Sequence, residues 1–289
     1  MYSLAQLKYD LDFNKSMDDI IHVLKMSTSL QLRQLQRTRW SEQGFLQAFC
    51  DAFSLIKIEQ LQQHQFIFRQ QLSPKAVVVV TSDDGFLGDL ILNLVDIGLA
   101  EKNAEDVLIV IGQKGANYLS SLKKSYLRMP GINEKTYVRD VRKLRKYLIS
   151  QYLQGKINQA VIIYADFSSI SSRDIKFDKL LPFPINDFWR RIKEVKRSGE
   201  LLIESSLKAV VNEMVVLGLD FKLREIAYSS KLAEFSARIM HLENSYQELL
   251  KHNQKLSIDY FKILHNLSDQ QLRESLSVRL SQERNIINS

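Results

Sequence analysis

Cysteine is nearly absent from the sequence: Cys50 stands alone among 289 residues. That excludes an internal disulfide framework and a thiolate zinc cluster, and it points to a reducing compartment. Four prolines and ten glycines are too few for a collagen-like or low-complexity chain. Long apolar runs are missing as well. The longest, residues 76–80 and 160–163, fall far short of the roughly 20 residues of a membrane-spanning helix, so no direct membrane insertion is expected. No basic stretch followed by an apolar one opens the chain, so no secretory leader is expected and a cytosol-facing location follows. Charge of one sign is lacking too: 40 Lys and Arg against 33 Asp and Glu give +7, with no third of the chain strongly basic. Two local clusters, Arg139, Arg142, Lys143, Arg145, Lys146 and Arg190, Arg191, Lys193, Lys196, Arg197, lie in helix-like sequence. Solvated helix faces account for both, and no nucleic-acid partner is expected.

The scarce helix breakers are lopsided. All four prolines (Pro74, Pro130, Pro182, Pro184) and seven of the ten glycines fall between residues 74 and 184. Proline and glycine are costly inside helices, so the chain divides into a helical arm (1–73), a compact middle (74–185) and a second helical arm (186–289). In the second arm Tyr228, Leu232, Phe235, Ile239, Leu242, Tyr246, Leu249, Asn253, Leu256, Tyr260, Ile263 and Leu267 step by four and three without a break. Such a repeat keeps one narrow stripe facing a partner helix, a coiled-coil seam, with Gly199 and Gly218 as places where it could bend. In the first arm Leu4, Leu7, Leu11, Met17, Ile20, Ile21, Leu24, Leu32 and Leu35 recur at helical spacing less regularly. The two arms are expected to pair antiparallel, with Asn253, the polar residue on the seam, bonding across it or facing a partner subunit.

The middle alternates. Residues 76–81, 107–111 and 160–165 are continuous β-branched or apolar runs, separated by helical patterns over 87–102, 115–124 and 139–153. Apolar strands separated by helices predict a Rossmann-like parallel sheet covered on both faces. Thr81, Ser82, Asp83, Asp84, Gly85 and Gly88 sit where the first strand ends, the place where α/β folds bind ligands. An acidic pair there could hold Mg²⁺, yet GxGxxG and GxxxxGK[ST] are both absent, and Asp83 is expected to cap the helix that follows. Gly112, Lys114 and Gly115 invite a phosphate-loop reading, but one lysine between two glycines is a common turn. The histidines (His22, His64, His241, His252, His265) show no metal spacing, Trp40 and Trp189 read as packing residues, and no catalytic residue, cofactor or metal is expected.

In this arrangement the chain resembles the gamma subunit of F-type ATP synthases, in which terminal helices form an antiparallel coiled coil around an inserted Rossmann-like domain. Asp83, Gly85 and Gly88 match the family's S-T-D-R-G-L-C-G after the first strand, and Ile111, Gly112, Lys114 and Gly115 match I-G-x-K-G. Leu180, Leu181, Pro182 resemble L-L-P, and Glu234, Ser236, Ala237, Arg238 match E-x-S-A-R, with Asn244 and Asn253 on later asparagines. The chain departs at Asp84, Leu87 and Asp89, at Asp19 to Leu24, and after Asn253, where Leu256, Ser257, Tyr260 and Phe261 replace polar residues; it also runs on to Ser289. The resemblance implies a non-catalytic rotor shaft turning in an F1 ring of alpha and beta subunits. Its foot would contact epsilon and a membrane c-ring, on the cytoplasmic side of the cell membrane, peripheral to it. Two other readings stay open at this point, a nucleotide-binding α/β protein and a coiled-coil scaffold or nucleic-acid binder.

Overall fold

A computed structural model describes residues 3–38, 49, 64–69, 71, 73–133, 136–184 and 206–287. Cys50, Trp40, Trp189, Gly199 and the basic cluster from Arg190 to Arg197 lie outside the described residues. In chain order the described elements are α1 (Leu4–Thr38), β1 (Lys75–Val80), α2 (Leu90–Glu101), β2 (Val107–Ile111) and α3 (Gln113–Ser121). They continue with β3 (Leu127–Met129), α4 (Tyr137–Leu153), β4 (Gln159–Phe167), β5 (Arg173–Leu181) and α5 (Leu207–Ile287).

The strands form one sheet in the order β3-β2-β1-β4-β5. The first four run parallel, Val78 lying opposite Ile109 on one side and Ile162 on the other. The side chains of β1, β2 and β4 are largely buried on both faces, as continuous β-branched runs require. Val77, Val79, Val110 and Ile163 point to the face covered by Leu94 and Val95 of α2 and Leu119 of α3. Val78, Val80, Ile109 and Ile162 point to the other, covered by Leu144 and Leu148 of α4 and Val215, Leu219 and Ile226 of α5. Helix α4 presents Val141, Leu144, Leu148 and Tyr152 to the sheet at three- and four-residue steps, the spacing that lines up one helix face.

The expected sheet needs two corrections. Strand β3 is three residues long, too short for any periodic signal, and β5 pairs antiparallel with β4, so the sheet is mixed. Arg173–Leu181 reads R-D-I-K-F-D-K-L-L and is only partly buried until Leu180, because an edge strand packs on one side alone.

Contacts divide the chain into two units, Met1–Ser27 with Leu242–Ser289, and Thr28–His241. Within the first, α1 and α5 pair antiparallel: the Asn14 side-chain amide donates to Asn253 Oδ1 at 2.7 Å, and Lys25 pairs with Glu243. The less exposed positions of α1 here are Leu4, Leu7, Leu11, Asn14, Asp18, Ile21 and Lys25, a three-four alternation, flanked by Asp10 and Leu24. Met17 and Ile20, expected on the seam, are exposed at 36% and 52%, because polar residues hold the stripe that the apolar count assigned to them. On α5 the expected seam stays half-buried through Tyr246, Leu249, Asn253, Leu256, Tyr260 and Ile263 and is exposed at Leu267. From Asn14 opposite Asn253, ten residues back along α1 bring Leu4, where that helix starts, level with Ile263; Leu267 lies past the end of its partner. Within the second unit, Leu32 packs with Leu232, Phe235 and Ile239, and the Tyr228 hydroxyl donates to the Leu35 carbonyl.

Candidate functional site

The turns at the carboxyl ends of β1, β2 and β3 are stitched together by one carboxylate. Asp83 accepts the backbone N–H of Gln113 at 2.7 Å through Oδ1 and that of Gly131 at 3.2 Å through Oδ2. Gln113 is the first residue of α3, so Asp83 caps a helix thirty residues downstream, not the one that follows it as expected. Helix α2 starts at Leu90 behind Asp89, with no side-chain cap. Around this stitch the Lys114 N–H donates to the Ser82 carbonyl and the Gly112 N–H to the Met129 carbonyl. Gly112 has φ 107°, and a Cβ there would lie 2.8 Å from backbone atoms of Thr81 and Ser82, so only glycine fits. Gly115 sits against the Thr81 side chain, and the Lys114 ammonium lies beside Gly85. The amides of a helix start attract anions, and here Asp83 takes that of Gln113 and the Ser82 carbonyl that of Lys114. A phosphate bound at Gly112 to Gly115 would have to displace Asp83.

The second half of the site is a face of α5. Lys231, Glu234 and Arg238 stand at i, i+3 and i+7, which sets them on one side of the helix. Glu234 is 7% exposed and accepts from Lys231 Nζ at 2.8 Å and from the Arg238 guanidinium at 3.1 Å. Burial pushes the Glu234 carboxyl above its usual range, against the opposing pull of Lys231, Arg238 and a hydrogen bond with Ser82. Arg238 reaches on to the turn after β1, donating through Nε to the Gly85 carbonyl at 3.2 Å and through Nη2 to Asp84 Oδ2 at 3.1 Å. Lys231 lies 3.8 Å from the same Asp84 oxygen. Phe235 lies beneath both cations, 5.1 Å from Lys231 Nζ and 5.9 Å from the Arg238 guanidinium carbon.

Further contacts pin the same helix to the sheet. Asp220 accepts Arg145 of α4 and Arg224, each at 2.7 Å, so the basic cluster on α4 is partly a structural device. The Ser229 hydroxyl bonds Asp166 and accepts the Phe167 N–H, and Lys222 donates to the Lys179 carbonyl. Helix α5 runs unbroken through Gly218, and a Cβ there would meet Phe183 at 2.5 Å and Phe49 at 2.8 Å. The missing side chain is room for two rings.

The structure thus brings Asp83, Gly85, Gly112, Lys114 and Gly115 together at the strand ends and joins them to Glu234 and Arg238. Gly88, at φ 56°, faces His241. Asn253 lies in the other unit, and of the seam residues Tyr228, Leu232, Phe235 and Ile239 belong with the joint, the rest with the paired helices. Lys231 and Asp84 were not singled out as part of any joint. The available signal was a lysine three residues ahead of a glutamate that itself precedes an arginine by four.

Known proteins show the same combination of terminal helices and inserted sheet. The sequence matches the family described as ATP synthase over residues 3–263. The chain belongs to the ATP synthase gamma family. An ATP synthase gamma chain from Trichlorobacter lovleyi is 23% identical over 284 residues, covering 96% of this chain and 98% of the relative. Among solved structures, the fold is shared with a chain of the Euglena gracilis mitochondrial ATP synthase, in a structure of its OSCP, F1 and c-ring, at TM-score 0.68 and 17% identity over 96% of this chain and 94% of that one. A chain of that enzyme's rotor gives TM-score 0.63 at 16% identity, over 91% and 98%. This gamma-family chain has a mixed α/β sheet domain inserted between long terminal helices, and among its described residues no helix is long and apolar enough to cross a membrane.

Proposed function

We propose that the chain is the central rotor shaft of an F-type ATP synthase or ATPase, coupling ion-driven rotation to ATP synthesis or hydrolysis in a ring of alpha and beta subunits. The observation that carries this reading is an apolar stripe left uncovered on the paired helices. Tyr9, Phe13, Ile20, Val23 and Met26 of α1 are exposed, Tyr9 at 67%, and so are Ile258 and Phe261 of α5. A chain working alone rarely leaves so much contiguous apolar surface open. A shaft bearing against a surrounding ring uses it. One asymmetric shaft cannot meet three equivalent catalytic sites identically, so each site is held in a different state and rotation cycles them.

In this reading the chain does no catalysis itself. Residues 1–73 and 186–289 make the shaft and residues 74–185 the foot, which meets epsilon and the c-ring on the cytoplasmic side of the cell membrane without entering it. Asp83, Gly85, Gly88, Gly112, Lys114 and Gly115 would hold the foot together, and Glu234 and Arg238 would fasten it to the shaft. The nucleotide-binding reading loses its anion site to Asp83, and of the two basic clusters invoked for nucleic acid the one on α4 is partly spent on Asp220.

The test is assembly. Combined with its alpha and beta partners and a membrane ring, the chain should support ATP hydrolysis coupled to ion pumping. Leu249→Gly or Leu256→Gly removes a seam contact and inserts a poor helix former, so hydrolysis should persist while pumping falls. A chain that does not enter such a complex overturns the rotor reading.

A further inference from the structure

A partly open pocket adjoins the strand ends on the far side of the sheet from α2 and α3. It is a cavity of about 130 Å³ on the sheet face covered by α4 and α5. Ile111 and Met129 close it at the strand ends, Val141 and Leu144 from α4, and Leu223 and Ala227 from α5. Apolar cavities of this size stay dry and accept a single hydrocarbon ring. Two charged residues, Asp140 and Lys143, interrupt the otherwise largely apolar wall. Asp140 Oδ2 accepts the Thr136 hydroxyl at 2.7 Å, but its Oδ1 is buried without a hydrogen bond. The nearest cation, Arg139 Nε, is 3.5 Å away on a side chain that is 68% exposed. A buried carboxylate oxygen with no donor is costly, and a donor arriving from the cavity would relieve that cost.

We propose that this cavity binds a small molecule of one apolar ring bearing a single hydrogen-bond donor. The ring fills the space among Ile111, Met129, Leu144 and Ala227, and the donor meets Asp140 Oδ1. Because strand ends, α4 and α5 all contribute wall, the bound molecule braces the long helix against the sheet. The inference is independent of the rotor reading, since it concerns binding to the chain by itself.

Phenol, benzene and benzoate test it on the full-length chain. Phenol should raise the thermal midpoint with increasing concentration, as a ligand selective for the folded state does, with a Kd on the order of 1 mM. Benzene should bind about tenfold more weakly for want of the bond to a charged acceptor, and benzoate, an anion facing Asp140, should give no shift. Amide exchange in α4 and residues 223–227 should slow with phenol. Asp140→Ala should erase the preference for phenol over benzene while benzene still binds. Ala227→Leu should fill the space and abolish both, and Ala227→Val serves if the larger side chain prevents folding. No phenol-dependent shift, benzoate binding as well as phenol, or phenol binding untouched by Ala227→Leu or its valine substitute would each overturn the proposal.

Discussion

The joint between sheet and long helix and the seam between the paired helices are built from the same two kinds of contact, apolar packing and bridging polar groups, in opposite proportions. At the joint, Glu234 and Ser82 are buried, Phe235 is 2% exposed, and Arg238 spends its donors on three acceptors. Along the seam, Asn14, Lys25, Glu243 and Asn253 stay half-open to water, and large apolar side chains face outward. Low dielectric makes the joint's interactions strong and their loss expensive. Solvent makes the seam's interactions cheap to form and cheap to lose. A part that must not slip is built in the first way, and a part that presents a surface to others can be built in the second.

The comparison breaks most sharply at Arg238. Arg238→Ala leaves Glu234 buried with Lys231 alone and strips donors from Asp84 and the Gly85 carbonyl. Removing one member of a buried charge network costs about 3 kcal/mol or more, read as a lower midpoint in urea unfolding. If the loss reflects the stranded carboxylate, Arg238→Met combined with Glu234→Gln should recover more than half of it. A loss confined to a few tenths of a kcal/mol would mean the joint is no different from the seam.

Tyr164 sharpens the same side of the comparison through pH. Its hydroxyl donates to Asp178 at 3.1 Å, and burial, with the charges of Asp178 and Asp166, raises its pKa well above the ordinary value of 10.0. A raised folded-state pKa means the contribution to stability is fully present below the unfolded pKa and is lost as pH rises through that value toward the folded one. The thermal midpoint should therefore decline from about pH 9 upward. Tyr164→Phe, though slightly less stable at neutral pH, should flatten that decline; an unchanged alkaline slope would refute the assignment.

What was legible in the sequence divides along the same line. The α5 seam from Tyr228 to Ile263 could be read because apolar residues mark it at every step but one, and the three buried strands could be read because β-branched runs have no other common use. The α1 seam could be read in part: Leu4, Leu7, Leu11, Ile21, Leu24, Leu32 and Leu35 are buried or half-buried as expected, while Asn14, Asp18 and Lys25 take positions that a hydrophobic count passes over. Asp83 was legible as a capping residue but not as to which helix it caps, because its partner is near in space and distant in sequence. Lys231 carried only the spacing to Glu234 and Arg238 as a signal and Asp84 none, and their part in the joint follows from the long helix passing the turn after β1. The edge strand β5 was hidden by its charges, which mark it as an edge.

On the seam the expected effects shrink. Asn253→Leu leaves the Asn14 amide without its partner in a half-buried setting and should cost about 1 kcal/mol. Replacing both asparagines by leucine should raise stability above that of the unaltered chain, while cysteine pairs placed across α1 and α5 should then cross-link in more than one register. A single polar pair on a seam fixes register at the expense of stability. If the double variant keeps one register, the asparagine pair does not set it.

The smallest effect is expected at Lys25. Its partner Glu243 is held below the usual carboxylate range by Lys25 first and Gln247 second, so the pair's contribution is present above the unfolded carboxylate pKa and lost as pH falls through the folded one. Both side chains are about a third exposed, 37% and 33%, and solvent screens such pairs until little remains. Lys25→Met also places an apolar side chain on a seam position where apolar residues pack. The variant should therefore match or slightly exceed the unaltered chain at neutral pH. Any deficit should vanish in 1 M salt, where the screening length falls to about 3 Å. Thermal midpoints in low and high salt decide the matter. A loss at neutral pH as large as that of Arg238→Ala, persisting in high salt, would show that the seam is held by its charges as the joint is, and the distinction between the two regions would fail.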